Sequence, residues 1–204
     1  FKVFDNSIFY SKGIVHPPWG VVGYPKYVPD ERGSRVSPSG VRYVKYEGLH
    51  EQSKVLKERY NWTLRFDKCF GTVVPIIPLS SIREVYDPII KLSSMRIEDP
   101  SSPVVELAEV LGEAAGWNNV GISGSRLVGL DVEGSDIDLV VYGVEEGSKA
   151  YAKLKEAFME IEDFRGYREG ELLKLYMARA RETPLSLQEF SRQQSRRVLE
   201  GFFK

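Results

Sequence analysis

Two short runs carry the chemistry available to this sequence. Gly124-Ser125 follows a brief apolar stretch, and ten residues later comes Asp136-Ile137-Asp138-Leu139. On an extended strand alternate side chains share a face, so Asp136 and Asp138 would emerge together while Ile137, Leu139 and Val141 pack behind them. Two neighbouring carboxylates repel unless cations neutralise them, and such a pair can share two Mg²⁺ ions about 3.5–4 Å apart. Magnesium takes oxygen ligands, keeps water and completes its shell from substrate phosphates, which suits a site without Cys or His. Gly124 lets the backbone approach a ligand closely, and Ser125 can cap a helix expected over residues 125–130. The free N–H groups at such a helix start favour phosphate. Arg126, the only basic residue from 98 to 148, lies in that first turn within reach of a phosphate. Asp131 and Glu133 read as solvated loop residues.

The frame around these runs reads as α+β. Residues 1–47 cluster Val, Ile, Tyr and Phe between Gly and Pro, the pattern of short strands, with β-prone runs at 24–28 and 41–46. The polar stretch 29–40 between them suits a long exposed hairpin loop carrying Arg32 and Arg35. Residues 49–60 space apolar side chains as an amphipathic helix does, and further strands are expected near 63–66 and 71–77. Ser80 or Ser81 can cap a short helix through residue 86, which Pro88 would break. The Ser-, Pro- and charge-rich stretch 93–103 is the most linker-like. It separates a β-rich domain over 1–92 from a second domain over 103–204.

In the second domain helix and strand alternate. Helical spacing starts after Ser102, a suitable N-cap, and stops at Gly116. A short strand follows at 119–122, a buried strand at 136–142 and an amphipathic helix at 148–158. The tail reads as two helices, 169–181 and 186–199, parted at Thr183-Pro184.

Composition narrows the function classes. With 204 residues, 42% hydrophobic, the chain has enough apolar material for one large or two small cores. One cysteine and two histidines exclude an internal disulfide and a Cys/His zinc cluster. The lone cysteine suits a reducing, cytoplasmic setting, and with no run of about 20 apolar residues and no signal-like opening segment a soluble protein without membrane contact is expected. The opening Phe and the apolar ending predict further residues at both ends.

The net charge of -1 conceals segregation: residues 98–163 hold 15 acidic and 4 basic side chains, against 6 and 10 in residues 1–60 and 5 and 9 in residues 165–204. An acidic centre suits divalent cations and basic flanks suit a polyanion such as RNA, while solvated helix faces would give the same count. Arg192 and Arg196, at i and i+4 with Arg197 adjacent, are the candidate nucleic-acid contacts. His16-Pro17-Pro18-Trp19 is a stiff segment suited either to stacking on a base or to a packed turn. The aromatic residues of the first 70 positions suit a core, or a platform for RNA bases.

Gly124-Ser125 followed by Ser135-Asp136-Ile137-Asp138 resembles the signature of the DNA polymerase beta-type nucleotidyltransferase superfamily, over roughly residues 104–160. The whole chain, with Lys12-Gly-Ile-Val-His-Pro-Pro18 ahead of that signature, also resembles an archaeal family of predicted, uncharacterised nucleotidyltransferases. The resemblance implies a small mixed sheet flanked by helices, with C-terminal helices added. It also implies a triphosphate such as ATP bound by Gly124 and Ser125, with Ser135 alongside, and Asp136 and Asp138 as catalytic ligands of two Mg²⁺ ions. The implied activity transfers a nucleoside monophosphate from a nucleoside triphosphate to a hydroxyl of RNA, protein or a small molecule, releasing pyrophosphate. Ser123 stands where the signature has an apolar residue. The family's third carboxylate, on a later strand, has no counterpart here, because after residue 142 the pattern reads as helical and Asp163 lacks a strand-like setting. That ligand lies beyond residue 204, comes from the N-terminal part, or is missing. In the last case the chain would be a catalytically incomplete protein of the same fold that binds nucleotide or nucleic acid.

Overall fold

The computed structural model describes residues 1–160, 164–179 and 183–203. In chain order it runs β1 (Lys2–Val3), β2 (Ile8–Ser11), β3 (Gly20–Pro29), β4 (Arg35–Val36), β5 (Arg42–Lys45), α1 (Leu49–Arg59), β6 (Leu64–Asp67), β7 (Thr72–Pro78) and β8 (Ile82–Glu84). There follow α2 (Pro88–Glu98), α3 (Pro103–Ala115), β9 (Val120–Ile122), α4 (Gly124–Leu127), β10 (Leu139–Val141) and α5 (Val144–Glu160). The chain closes with β11 (Phe164–Arg165), α6 (Glu169–Arg179), α7 (Leu187–Gln194) and β12 (Phe202–Phe203). This is a mixed α+β protein with a large antiparallel sheet. It divides into two compact units, Phe1–Asp87 with Gly124–Asp136, and Pro88–Ser123 with Ile137–Lys204.

The first unit is built on an eight-stranded sheet in the order β4-β5-β3-β2-β1-β8, with β7 also on β3 and β6 on β7. The ten-residue β3 is its spine, pairing with β7 through Gly20–Val22, with β2 through residues 23–27 and with β5 through Tyr27–Pro29. Alternation along β3 serves two cores. Val28 faces Val3, Phe9, Val55, Leu56, Tyr60 and Ile77, so α1 covers that side. Tyr27 packs instead with Ile8, Tyr43, Val128 and Leu130. The cover on this second side therefore comes from the chain after Gly124, a hundred residues downstream.

The second unit buries Leu92, Val104, Ala108, Leu111, Ala115, Val120, Ile122 and Ala150, with Ile137, Leu139 and Val141 packed against them. The side chains expected behind the two aspartates do lie on this core. Ser102 caps α3 by accepting from the Val105 amide, Pro103 occupies the first turn, and Gly116 ends the helix at φ 81°. Local rules suffice there. Antiparallel pairing sets Leu139 opposite Ile122, Val140 opposite Gly121 and Val141 opposite Val120. Gly121 is required by close approach: a Cβ would lie 2.5 Å from Pro88 Cβ and 2.8 Å from the Pro88 carbonyl carbon.

Several expectations are corrected. Residues 79–81 form a 3-10 turn and 82–84 a strand paired with β1, where a helix was expected. Pro88 opens α2, since a proline in the first turn loses no helical hydrogen bond, and α2 then covers much of the supposed linker. Where a small mixed sheet was expected, β9 and β10 form an antiparallel pair that no third strand joins among the described residues. The strand expected over 136–142 is only Leu139–Val141, because its partner β9 ends as the chain turns away at Gly124. The tail is not helical throughout: β11 pairs with β12, Phe164 opposite Phe203. Residue 163 and the end of the helix expected over 169–181 lie outside the described residues.

Candidate functional site

The glycine-serine turn and the loop leading to Asp136 belong to the first unit. Gly124 has φ 63°, a left-handed conformation that favours glycine. Its carbonyl oxygen accepts a 2.6 Å hydrogen bond from the Tyr10 hydroxyl on β2. The helix expected at 125–130 is the single turn of α4. Ser125 is 9% exposed, and its carbonyl accepts from the Leu130 amide. Val128 and Leu130 then enter the sheet core, which fixes the turn to the strands beneath it.

Residues 131–136 are held by two guanidinium groups. Arg126 donates from Nε to the Asp136 carbonyl at 3.3 Å and from Nη2 to the Ser135 carbonyl at 3.1 Å, and pairs with Asp131 at 3.3 Å. Asp131, read from sequence as a solvated residue, thus has an ionic partner. Arg35 donates from Nη1 to the Leu130 carbonyl at 3.0 Å and to Ser135 Oγ at 3.1 Å. The same Oγ accepts from the Val132 amide at 2.8 Å. Arg35 was expected in an exposed loop. It lies instead on β4, half-buried, because its strand pairs with β5.

Exposure alternates from Ser135 to Leu139: Asp136 and Asp138 are exposed, whereas Ser135, Ile137 and Leu139 are half-buried. Asp138 belongs to the second unit. Its carbonyl accepts a 2.6 Å hydrogen bond from Ser123, extending the β9–β10 ladder by one position. Ser123 is therefore paired with Asp138, and Gly124 is the next residue in the chain.

These oxygen donors suit Mg²⁺ bound together with water and substrate phosphates, which needs few protein ligands. Among the described residues no group of three or more His, Cys, Asp or Glu side chains is placed to hold a metal ion.

The C-terminal arginines are arranged differently from expectation. Arg192 lies on α7, but the helix ends at Gln194, so Arg192 and Arg196 do not share a helix face. The amides of Arg196 and Arg197 bond three residues back, to Gln193 and Gln194, as the last turn tightens. Arg197 pairs with Glu200 at 3.2 Å, and Glu200 also meets Arg179 at 3.5 Å. His16, considered for base stacking, accepts at Nδ1 from the Val22 amide at 3.2 Å, while Trp19 remains half exposed. Tyr10 and Arg35 are the residues that sequence reasoning missed. Tyr10 lay in a stretch read as strand and Arg35 in one read as loop, and their partners lie 95 to 114 positions away.

An uncharacterized protein of the archaeon Methanocaldococcus jannaschii is 26% identical over 126 residues, covering 59% of this chain. The chain spans about 37% of that relative's length. No protein-family model matches the sequence, and no solved structure matches it. Among the described residues no helix is long and apolar enough to cross a membrane.

Proposed function

We propose that this chain carries a nucleotidyltransferase site of the DNA polymerase beta type, acting on a nucleoside triphosphate such as ATP with Mg²⁺. The supporting observation is the pairing of Ser123 with Asp138 through the Ser123 amide. It sets the residue before the glycine turn opposite the second aspartate of the motif.

In this reading Asp136 and Asp138 hold the cations. The bound ions would make the acceptor hydroxyl more acidic and offset the charge of the leaving pyrophosphate. Gly124 and Ser125 position the triphosphate, and Ser135 holds the loop ahead of Asp136. A phosphate reaching Arg126 would take the place of Asp131. The acceptor oxygen bonds to the α-phosphorus, the bond to the bridging oxygen of pyrophosphate breaks, and the hydroxyl proton passes to solvent. The acceptor is a hydroxyl of RNA, protein or a small molecule, and the basic flanks favour a polyanion.

The test is pyrophosphate release from each nucleoside triphosphate with Mg²⁺ and a panel of acceptors. Turnover abolished by Asp136→Asn supports the proposal. Absence of turnover with every acceptor, together with salt-sensitive RNA binding that Asp136→Asn leaves unchanged, would favour a non-catalytic binding protein on the same fold.

A further inference from the structure

We infer that Arg35, a residue of the N-terminal sheet, is a positioning residue for Asp136; the inference rests on the proposed role of Asp136 as a cation ligand. An exposed carboxylate can hold a cation in a defined place only if the backbone beneath it is fixed. The backbone before Asp136 closes on itself, because the Ser135 amide donates to the Val132 carbonyl at 2.9 Å and the Val132 amide donates to Ser135 Oγ at 2.8 Å. Arg126 grips the carbonyls of Ser135 and Asp136, but it lies in the same chain segment as the loop. Val128 and Leu130 anchor that segment in the sheet core, but only ahead of residues 131–136.

Arg35 supplies a direct polar link from the sheet to the far end of the loop. One nitrogen, Nη1, reaches both the Leu130 carbonyl at the start of the loop and Ser135 Oγ beside Asp136. With Val132 and Arg35 both donating to it, the Ser135 hydroxyl has its two acceptor positions filled and its orientation set. Arg35 stands opposite Tyr43 in the β4–β5 pair, and Tyr43 shares a core with Leu130. The strand pair thus fixes both the apolar anchor of the loop and the guanidinium that binds its polar end. Outer partners that orient metal ligands typically change metal affinity about 10- to 100-fold when removed.

Mn²⁺ alone serves as the probe, its binding followed by electron paramagnetic resonance, with amide hydrogen exchange measured on the same samples. Arg35→Met is expected to speed exchange at Val132 and Ser135 by about tenfold or more, while Tyr27 and Val28 in the sheet stay protected. Its Mn²⁺ affinity is expected to fall about tenfold. Arg35→Lys keeps the charge but loses the planar fork and is expected to remain weak. Parent-like affinity in Arg35→Lys would reduce the role of Arg35 to charge and overturn the inference. So would Arg35→Met with parent-like exchange and affinity in a protein whose Asp136→Asn variant no longer binds Mn²⁺. If Asp136→Asn binds Mn²⁺ as the parent does, the cation role of Asp136 fails, and this inference fails with it, even if Arg35→Met loosens the loop.

Discussion

The Tyr10 hydroxyl donates to the Gly124 carbonyl oxygen at 2.6 Å, joining β2 to a turn 114 positions later. The bond holds a glycine whose φ of 63° leaves its peptide oriented as few other residues allow. Tyr10→Phe removes the donor and is expected to cost about 1 kcal/mol in urea unfolding. If Gly124 and Ser125 hold a triphosphate as proposed, Tyr10→Phe should also weaken its binding, read by calorimetry.

Leu130 is fully buried among Ile8, Tyr27 and Tyr43. Leu130→Ala should therefore behave as a core mutation of the first unit, losing about 2–5 kcal/mol in chemical denaturation. A cost near zero would mean that the segment after Gly124 is not part of that core.

Gly121→Ala tests the second unit. A methyl group there meets Pro88 at the start of α2 at distances that the backbone must relieve by moving. The expected loss is about 1–3 kcal/mol in thermal or denaturant unfolding.

Glu171 gives a pH signature. Its carboxylate accepts from Arg165 at 2.9 and 3.0 Å and from the Arg168 amide at 2.7 Å. The Arg165 guanidinium, followed by the Arg168 amide, holds the carboxyl down to about 2 from its ordinary 4.5. Because the folded value is depressed, the contribution is complete above pH 4.5 and is lost as pH falls towards 2. The melting temperature of the parent should exceed that of Glu171→Gln at neutral pH, and the two should converge on acidification through that window.

Tyr60 titrates at the other extreme. Burial, the largest influence, pushes its hydroxyl up to about 12 from 10, and the hydroxyl lies 2.5 Å from the buried Ser7 Oγ and 3.1 Å from Asp5. A raised folded value means stability present below pH 10 and lost as pH rises towards 12. Alkaline unfolding of the parent in that range should be less steep in Tyr60→Phe, which has no phenol to ionise. At neutral pH the variant should lose about 1–3 kcal/mol, because Ser7 is left without this partner.

What was legible in the sequence was local. Ser102-Pro103 and Gly116 mark the ends of α3 because a cap and a left-handed stop act within one turn. Residues 49–60 announced α1 by their spacing. The exposed pair Asp136 and Asp138 stood out because a single apolar residue, the half-buried Ile137, separates them. Partnership was not legible. Arg35 looked like a loop cation since nothing near it in sequence names Leu130 or Ser135, and Arg196 looked helical because the tightening after Gln194 depends on where the chain next goes. The domain boundary drawn at residues 93–103 could not anticipate that residues 124–136 pack with the N-terminal strands, because apolar Val128 and Leu130 carry no address.

That packing bears on synthesis. A ribosome delivering the first 87 residues has made every strand of the eight-stranded sheet, yet the face bearing Ile8, Tyr27 and Tyr43 stays uncovered until Leu130 has emerged. The N-terminal unit therefore has to wait for part of its neighbour to be translated before its own core can close. Nascent chains stalled before residue 124 should be the most prone to aggregate, since exposed apolar sheet surface is what associates at that stage.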